Sequence, residues 1–514
     1  MQLSTALVRI TAILLPVALL ATGWLYSYPV LDKNCGFPPP SHGETAPFRL
    51  LALGDPQLEG DSSLSKRGWA RRLRKRLDLW GNDFYLAHIV RSVRYWTKPT
   101  HVAVLGDLLG SQWISNEEFA SRSTRYWNRV FKGMQTVEEE VMLGQENLQE
   151  LGKKNWEGSL INIAGNHDIG YAGDLDDERA LRFEEKFGKL NWDVWFSLPN
   201  SSSFEGEGEP PALRLIILNS MNLDAPALSE THQSETYDFL NYLITTSRSV
   251  QDKSHATVLL THIPLHKREG TCVDSPFFSY FPSHREYHGV KEQNMLSEDA
   301  SKTVLEGVFG LSGNPEAEGR GFGRPGIILN GHDHEGCDTM HFIPQYKLEP
   351  PAGCKNPPNW IEDYHVKDSS TLSTTKTEFP KVGVWNAMRL PSSPSRPENP
   401  VQPMIWENEE GKEVYGPPCI MEDETPTIRE ITLRSMMGDF GGYAGFLSAW
   451  FNETKGERGE WMFEFKTCGV GVQHWWWTVH VVDIVTIYLL VASALVRVIE
   501  SKRRAAVHTE KKTQ

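Results

Sequence analysis

The chain has 514 residues, enough for one large domain with insertions or for two domains. Its 66 acidic residues exceed its 52 basic ones, and the formal charge of −14 excludes a chain-wide nucleic-acid-binding surface. Six cysteines, none in a CxxC pair, argue against a structural zinc site; in a lumenal domain some would pair as disulfides, with the connectivity open.

Residues 10–26 carry no charge and follow Arg9, which suits either a signal peptide or an uncleaved signal anchor, the anchor being favoured. A Pro- and Gly-rich linker, 27–47, follows. The globular part opens on an apolar run at 48–53 that ends in Gly54-Asp55-Pro56-Gln57. From Lys66 to Arg76, seven of eleven residues are Lys or Arg, with Trp69, Leu73, Leu77 and Trp80 interleaved at helical spacing. One reading is a solvated helix whose apolar stripe packs on the core; the other is a basic amphipathic helix facing headgroups or a phosphate-bearing substrate.

A helical pattern at 83–96 precedes the apolar run 101–105, which ends in Gly106-Asp107. A helix at 117–132 and a polar, acidic stretch at 136–154 lead to 160–164 and then Gly165-Asn166-His167-Asp168. The alternation continues through a helix near 176–187, a strand at 213–218, a helix at 231–247 and a strand at 256–261 that delivers His262. A helix at 294–309 and a strand at 326–330 end it in Gly331-His332-Asp333-His334. Strand–helix alternation of this kind predicts an α/β sandwich.

Residues 344–426 dissolve into Pro, Ser, Thr and Glu, and 367–403 cannot bury enough apolar surface to fold alone, so the segment reads as a low-complexity, disordered insertion. Residues 427–468 return to the domain that began at 48–343: an alternating strand at 428–434, then a stretch rich in Gly and aromatics at 435–450. Residues 475–496 match the ~20 residues a bilayer span requires. Trp475, Trp476 and Trp477 would form an aromatic belt, and Arg497, Lys502, Arg503 and Arg504 assign the tail 497–514 to the cytosol. Everything between the two apolar ends is then lumenal. His480 and Asp483 fall inside the span, where an Asp costs ~2.5–3.5 kcal/mol. They are candidate contacts for a partner helix, such as that of a cargo receptor, unless they lie nearer the lumenal edge. Lys511 and Lys512, fourth and third from the end, resemble a retrieval signal of endoplasmic reticulum (ER) membrane proteins. Asn200 and Asn452 open glycosylation sequons.

Five apolar runs thus deliver Asp, Asn, His or Gln at a strand's carboxyl end, where an α/β sheet places its chemistry. This reads as a two-metal site. Asp107 is the natural bridge; Asp55 and His334, with Gln57 nearby, would complete one ion, and Asn166, His262 and His332 the other. Nitrogen and oxygen ligands without thiolate suit Mn, Fe or Zn. Two ions ~3.5–4 Å apart activate a water-derived nucleophile for in-line attack on phosphorus. His167, beside a ligand, can stabilise the transition state or protonate the leaving alkoxide.

The ordered set GD-x-Q, GD, GNHD, TH-x-P and GHDH resembles the calcineurin-like metallophosphoesterases from residue 48 to 335. That family usually carries His two residues after the first Asp, where this chain has Gln57. Many members carry a further acidic residue where it has Gly110. A narrower resemblance lies in Gly54-Asp55-Pro56-Gln57-Leu58-Glu59-Gly60, the GNHDIG run from Gly165, Gly270-Thr271-Cys272-Val273-Asp274-Ser275-Pro276 and the RSMMGDFGGY run from Arg434. These look like the fungal ER phosphoesterases that remodel glycosylphosphatidylinositol (GPI) anchors. The resemblance implies a membrane-bound phosphodiesterase, usually using Mn, that removes ethanolamine phosphate from a mannose of the GPI glycan, here most like the branch acting on the second mannose. Its implied partners are a GPI glycolipid or GPI-anchored protein and the membrane, with no nucleic acid. It also implies that Trp450 and the loop 435–443 shape the pocket. The alternatives are a lumenal phosphomonoesterase or protein phosphatase, and a non-catalytic cargo-export adaptor.

Overall fold

The computed structural model describes residues 3–31, 35–40, 44–60, 68–153, 156–198, 209–273, 275–282, 289–345, 382–390, 404–407, 413–416, 425–437, 441–456 and 458–513. Two sheets lie face to face. One orders its strands Glu460–Val472, Gly441–Asn452, Phe48–Leu53, His101–Val104, Ser159–Asn162 and Gln135–Thr136. The other orders them Asn386–Arg389, Cys337–Phe342, Thr427–Thr432, Gly326–Asn330, His255–Leu260, Ala212–Ile217, Trp192–Ser197 and Leu148–Glu150.

The middle of each sheet is parallel: Phe48–Leu53, His101–Val104 and Ser159–Asn162 in the first, Ala212–Ile217, His255–Leu260, Gly326–Asn330 and Thr427–Thr432 in the second. Successive side chains of a strand point to opposite faces. Leu50, Ala52, Ala103, Leu105 and Ile161 therefore meet Leu215, Val258, Leu260, Ile327 and Leu329 between the sheets. Leu51, Leu53, Val102, Val104, Leu259 and Ile328 face outward into a second core under the helices. Strands buried on both faces need continuous apolar runs, which is why these segments do not alternate. The outcome is the α/β sandwich expected, with helices over the outer faces.

Several elements extend the expected pattern. From Trp69 onward the basic segment and the 83–96 helix are one helix, Trp69–Thr97, while Lys66 and Arg67 lie outside the described residues. The Gly- and aromatic-rich stretch is half of a long hairpin, Gly441–Asn452 with Glu460–Val472, which extends the first sheet through Phe48–Leu53. Inside 344–426, Asn386–Arg389 pairs with Cys337–Phe342 as an edge strand of the second sheet, so this part of the expected disordered insertion is ordered. It needs no core of its own because it borrows an existing edge.

Two terminal helices, Leu3–Leu31 and a helix from Gln473, are long and apolar enough to cross a membrane. They run antiparallel: Ser4 Oγ donates to Glu500 and Thr22 Oγ1 to Asp483 (3.0 and 2.9 Å). Asp483, expected to seek a partner helix, finds its donor within the chain. A Cys35–Cys468 disulfide joins the segment after the first of these helices to the strand before the last, and Cys272–Cys337 links the GTCVDSP loop to the strand after the GHDH motif.

Candidate metal centre

Five of the central parallel strands, Phe48–Leu53, His101–Val104, Ser159–Asn162, His255–Leu260 and Gly326–Asn330, carry the five motifs at their carboxyl ends, and these ends converge at one point. Asp55, Asp107 and His334 bring one ligand atom apiece to within 4.8 Å of one another. Asp55 and Asp107 are buried, while His334 lies on the open side. Gln57 joins this group, its amide donating to Asp107 Oδ2 at 3.0 Å and standing 3.2 Å from His334 Nε2. It presents its donor nitrogen here, not the amide oxygen that ligation would use.

On the other side of Asp107 stand Asn166, His262 and His332. His262 Nδ1 lies 2.7 Å from the Leu105 carbonyl and His332 Nε2 lies 2.8 Å from the Gln293 carbonyl. A carbonyl only accepts, so those ring nitrogens carry the protons. The opposite nitrogens, His262 Nε2 and His332 Nδ1, therefore present lone pairs. Both aim at Asn166 Oδ1, at 3.1 and 2.9 Å, and Asp107 Oδ1 is 3.4 Å from His262 Nε2. Burial, then His262, lowers the His332 pKa to about 4, and burial lowers that of His262, so both rings are neutral near neutral pH.

The donor set fits divalent cations. Buried lone pairs converge on Asn166 with no donor between them, and Asp55 Oδ2 is buried with no hydrogen-bond partner. Burial, then the neighbouring Asp107, pushes the Asp55 carboxyl well above its usual range. Burial also raises Asp107, but His262, His167 and His332 outweigh it and the net shift is downward. A cation between these groups removes the cost of each.

Neighbouring groups fix the ligands. Asp168 accepts from the backbone N–H of Gly165, Leu108 and Leu109 at 2.9, 3.1 and 2.9 Å, tying the GNHD turn to the residues after Asp107. Burial, then Asp107, pushes its pKa up to about 8. Two glycines are required by space: a Cβ on Gly106 would stand 2.1 Å from His262 Nδ1, and one on Gly165 would stand 2.2 Å from the Asp107 amide nitrogen. His167 donates its backbone N–H to Asp107 Oδ1 at 2.8 Å, and its half-exposed ring stands 3.8 Å from Asp107 Oδ2, facing the open side. Ser435 Oγ donates to the Asp55 carbonyl (2.9 Å) and Met436 N–H to that of Gly54 (2.8 Å), which seats the RSMM segment against the site.

All seven expected ligands and His167 thus meet in one place. Trp450 does not: it pairs with Met462 on the hairpin, beyond the Phe48 end of the first strand and so opposite the site. Gln293 and the buried Glu430, which supports Asn330 and the loop after His262, carried no sequence signal, because their roles depend on strands distant in the chain. The Asn452 sequon lies on the hairpin turn, where Thr454 donates to Asn452 Oδ1. Asn200 lies outside the described residues, and Lys511 and Lys512 fall on the last turn of the C-terminal helix.

No family model matches the chain. Protein TED1 of Saccharomyces cerevisiae is 31% identical over 497 residues, covering 87% of this chain and 83% of that protein. An uncharacterised protein of Schizosaccharomyces pombe is 29% identical over 57% of this chain and 64% of its own length. Metallophosphoesterase 1 of Cricetulus griseus is 22% identical over 65% and 73% of the two chains. Among solved structures, the calcineurin-like phosphoesterase YfkN of Bacillus subtilis aligns over 88% of this chain and 98% of its own, at 11% identity and a TM-score of 0.29, a likeness too loose to bear on the fold.

Proposed function

The chain belongs to the calcineurin-like metallophosphoesterases, and from that premise we propose that it is a phosphodiesterase of the ER membrane that removes ethanolamine phosphate from a mannose of the GPI glycan. The class of reaction, phosphoester hydrolysis, follows from the family. The observation that carries the chemistry is the convergence of His262 Nε2, His332 Nδ1 and Asn166 Oδ1 beside Asp107 with no donor among them. Asp55, Asp107 and His334 would hold one divalent ion, with Gln57 beside it; Asp107, Asn166, His262 and His332 would hold the second, with Mn favoured and Fe or Zn compatible. When bound, two such ions supply an activated water and offset the charge on the phosphoryl oxygens.

The chain's own residues do the rest. Asp107 faces both groups and sets their separation. The Leu105 and Gln293 carbonyls hold the two rings in the tautomers that ligation requires. His167, at the open side, is placed to steady the phosphoryl charge and to give a proton to the leaving alkoxide. The substrate assignment is supported by the GDPQLEG, GNHDIG, GTCVDSP and RSMMGDFGGY runs. Asp55 and Gln57 of the first run and Asn166 and His167 of the second lie in the site, Ser435 and Met436 bond to the carbonyls of Asp55 and Gly54, and two membrane-length helices suit a lipid-borne substrate. The tail lysines Lys511 and Lys512 suit a cytosolic C-terminus and a lumenal site. GPI-anchored cargo and its export machinery are the partners this reading implies.

The test is hydrolysis of bis-p-nitrophenyl phosphate against p-nitrophenyl phosphate by the full chain in detergent, metal-stripped and then reloaded with Mn. Metal-dependent turnover of the diester in preference to the monoester is expected. Preference for the monoester would return the alternative of a phosphomonoesterase.

A further inference from the structure

The helix Trp69–Thr97 has two halves that behave differently. From Leu79 onward one face is buried against the domain and the terminal helices. Before it, every residue of 68–78 except the partly covered Lys75 is exposed, including Trp69 (81%), Leu73 (54%) and Leu77 (54%), and Trp80 follows at 49%. These four stand at helical spacing on one stripe, so the stripe does not pack on the core. Arg71, Arg72, Arg74, Lys75 and Arg76 occupy the rest of the circumference.

The terminal helices fix how this helix lies. They are paired with Ser4 beside Glu500 and Thr22 beside Asp483, and the rings of Tyr26 and His480 stand 6.4 Å apart. Tyr26 and Trp477 are therefore at one depth. The Trp69–Thr97 helix touches both at that depth. A Cβ on Gly81 would stand 1.8 Å from Trp477, and Gln473 Nε2 donates to Asn82 at 2.5 Å. Farther along, His88 meets the Tyr26 ring edge-on at 4.5 Å, and Trp96 Nε1 donates to the Tyr26 carbonyl at 2.8 Å. From residue 81 to 96 the helix advances ~22 Å at ~1.5 Å per residue. A rod that contacts two spans at one level over that length runs across them, along the membrane plane. Its exposed half then continues past the C-terminal helix for another ~18 Å. The depth is that of an aromatic belt, for the rings of Trp24 and Trp475 meet there at 5.0 Å, tilted by 53°, and are each 43% exposed.

We propose that residues 69–80 are an interfacial helix lying in the phospholipid headgroup layer, with Trp69, Leu73, Leu77 and Trp80 in the acyl boundary and the flanking arginines on lipid phosphates. The occupant is a phospholipid surface because the patch is continuous with the two spans, and because a basic flank around an apolar stripe matches that surface. The inference rests on the two terminal helices crossing the bilayer; it does not require the phosphodiesterase reading. It bears on that reading through Lys75, which pairs with Glu59, two residues after Gln57. Arg125, which pairs with Asp83 of the same Trp69–Thr97 helix, donates to the Glu59 carbonyl. The strand-end loop that carries Asp55 and Gln57 is thereby fastened to the helix on the surface, which holds the site next to lipid-borne substrate.

The experiment uses the full chain in phospholipid nanodiscs with a benzophenone amino acid introduced at position 73, 77 or 78, and at 484 in the C-terminal helix as the lipid-facing reference. Lipid adducts at 73 and 77, as at 484, with none at 78 on the opposite face, are expected. Adducts at 484 alone, or protein adducts at 73 and 77, would overturn the proposal. In parallel, the Leu73→Glu/Leu77→Glu double variant should raise KM for a bilayer-embedded phosphoester by about tenfold or more. Its turnover of a water-soluble phosphodiester should be unchanged. Equal effects on both substrates, or none on either, would remove the surface role, whereas a wild type inactive on every phosphoester with the crosslinks intact would count against the enzyme reading alone.

Discussion

Asp55, Gln57, Asp107 and His332 all hold φ between 40° and 74°, the left-handed region that non-glycine residues seldom enter. Each such residue costs on the order of 1–3 kcal/mol, and four together at strand ends mark a place where geometry is held against local preference. What holds it is in part Asp168, whose carboxyl group spans the two turns through three backbone N–H groups. Asp168→Asn turns one of its oxygens into a donor facing a donor. It should weaken metal affinity ~10–100-fold, the usual penalty for losing support of a ligand. Metal titration of the purified protein reads this directly; affinity equal to wild type would show the turns to be held otherwise. At this scale the ligands were legible because each is a polar residue behind an apolar run. Their supporting groups were not: Gln293 acts through its backbone carbonyl, which has no side-chain signature.

Behind the site the second sheet carries a buried charge. Glu430, on Thr427–Thr432, pairs with Lys267 (2.5 Å) and His341 (2.9 Å), and accepts from Asn330 and the Leu265 amide at 2.7 Å each. It therefore fastens the strand end before His332 to the loop after His262. Burial opposes ionisation, but Lys267, then His341, hold the Glu430 carboxyl far below the usual range. A depressed folded-state value contributes stability above the unfolded Glu value of about 4.3, and loses it only as pH falls through the much lower folded value. Glu430→Ala leaves Lys267 buried and unpaired and should cost ~3–5 kcal/mol, with Lys267→Met restoring much of it in the double variant. Denaturant unfolding at neutral pH measures both; a single variant within about 0.5 kcal/mol of wild type would contradict the account. The parallel core strands were legible from their continuous apolar runs. The hairpin Gly441–Asn452 with Glu460–Val472 was not, because glycines dilute its strand pattern. They are there for space: a Cβ on Gly442 or Gly471 would stand 2.5 or 2.8 Å from Ile89 of the helix packed across it.

At the scale of the molecule, the catalytic sheets and the terminal helices form one assembly. The N-terminal helix is bound to the C-terminal one by Thr22–Asp483 and Ser4–Glu500, and a disulfide from Cys35 to Cys468 closes the pair on the domain side. An uncleaved anchor, which the sequence favours over a cleaved signal peptide, would keep these contacts. The intact mass of the purified mature protein should therefore include residues 3–31; a mass lacking them would remove that anchor. Sequence showed two apolar ends but not that they pair, since one threonine facing one aspartate 461 positions away leaves no pattern. The central claim is the reaction itself. It is tested most directly by incubating purified GPI glycolipid with the full chain and with Asp107→Asn, each with and without Mn, and weighing the glycan by mass spectrometry. The account predicts Mn-dependent loss of ethanolamine phosphate from one mannose by the wild type, reduced by orders of magnitude in the variant. An unchanged glycan from a metal-loaded wild type would contradict it.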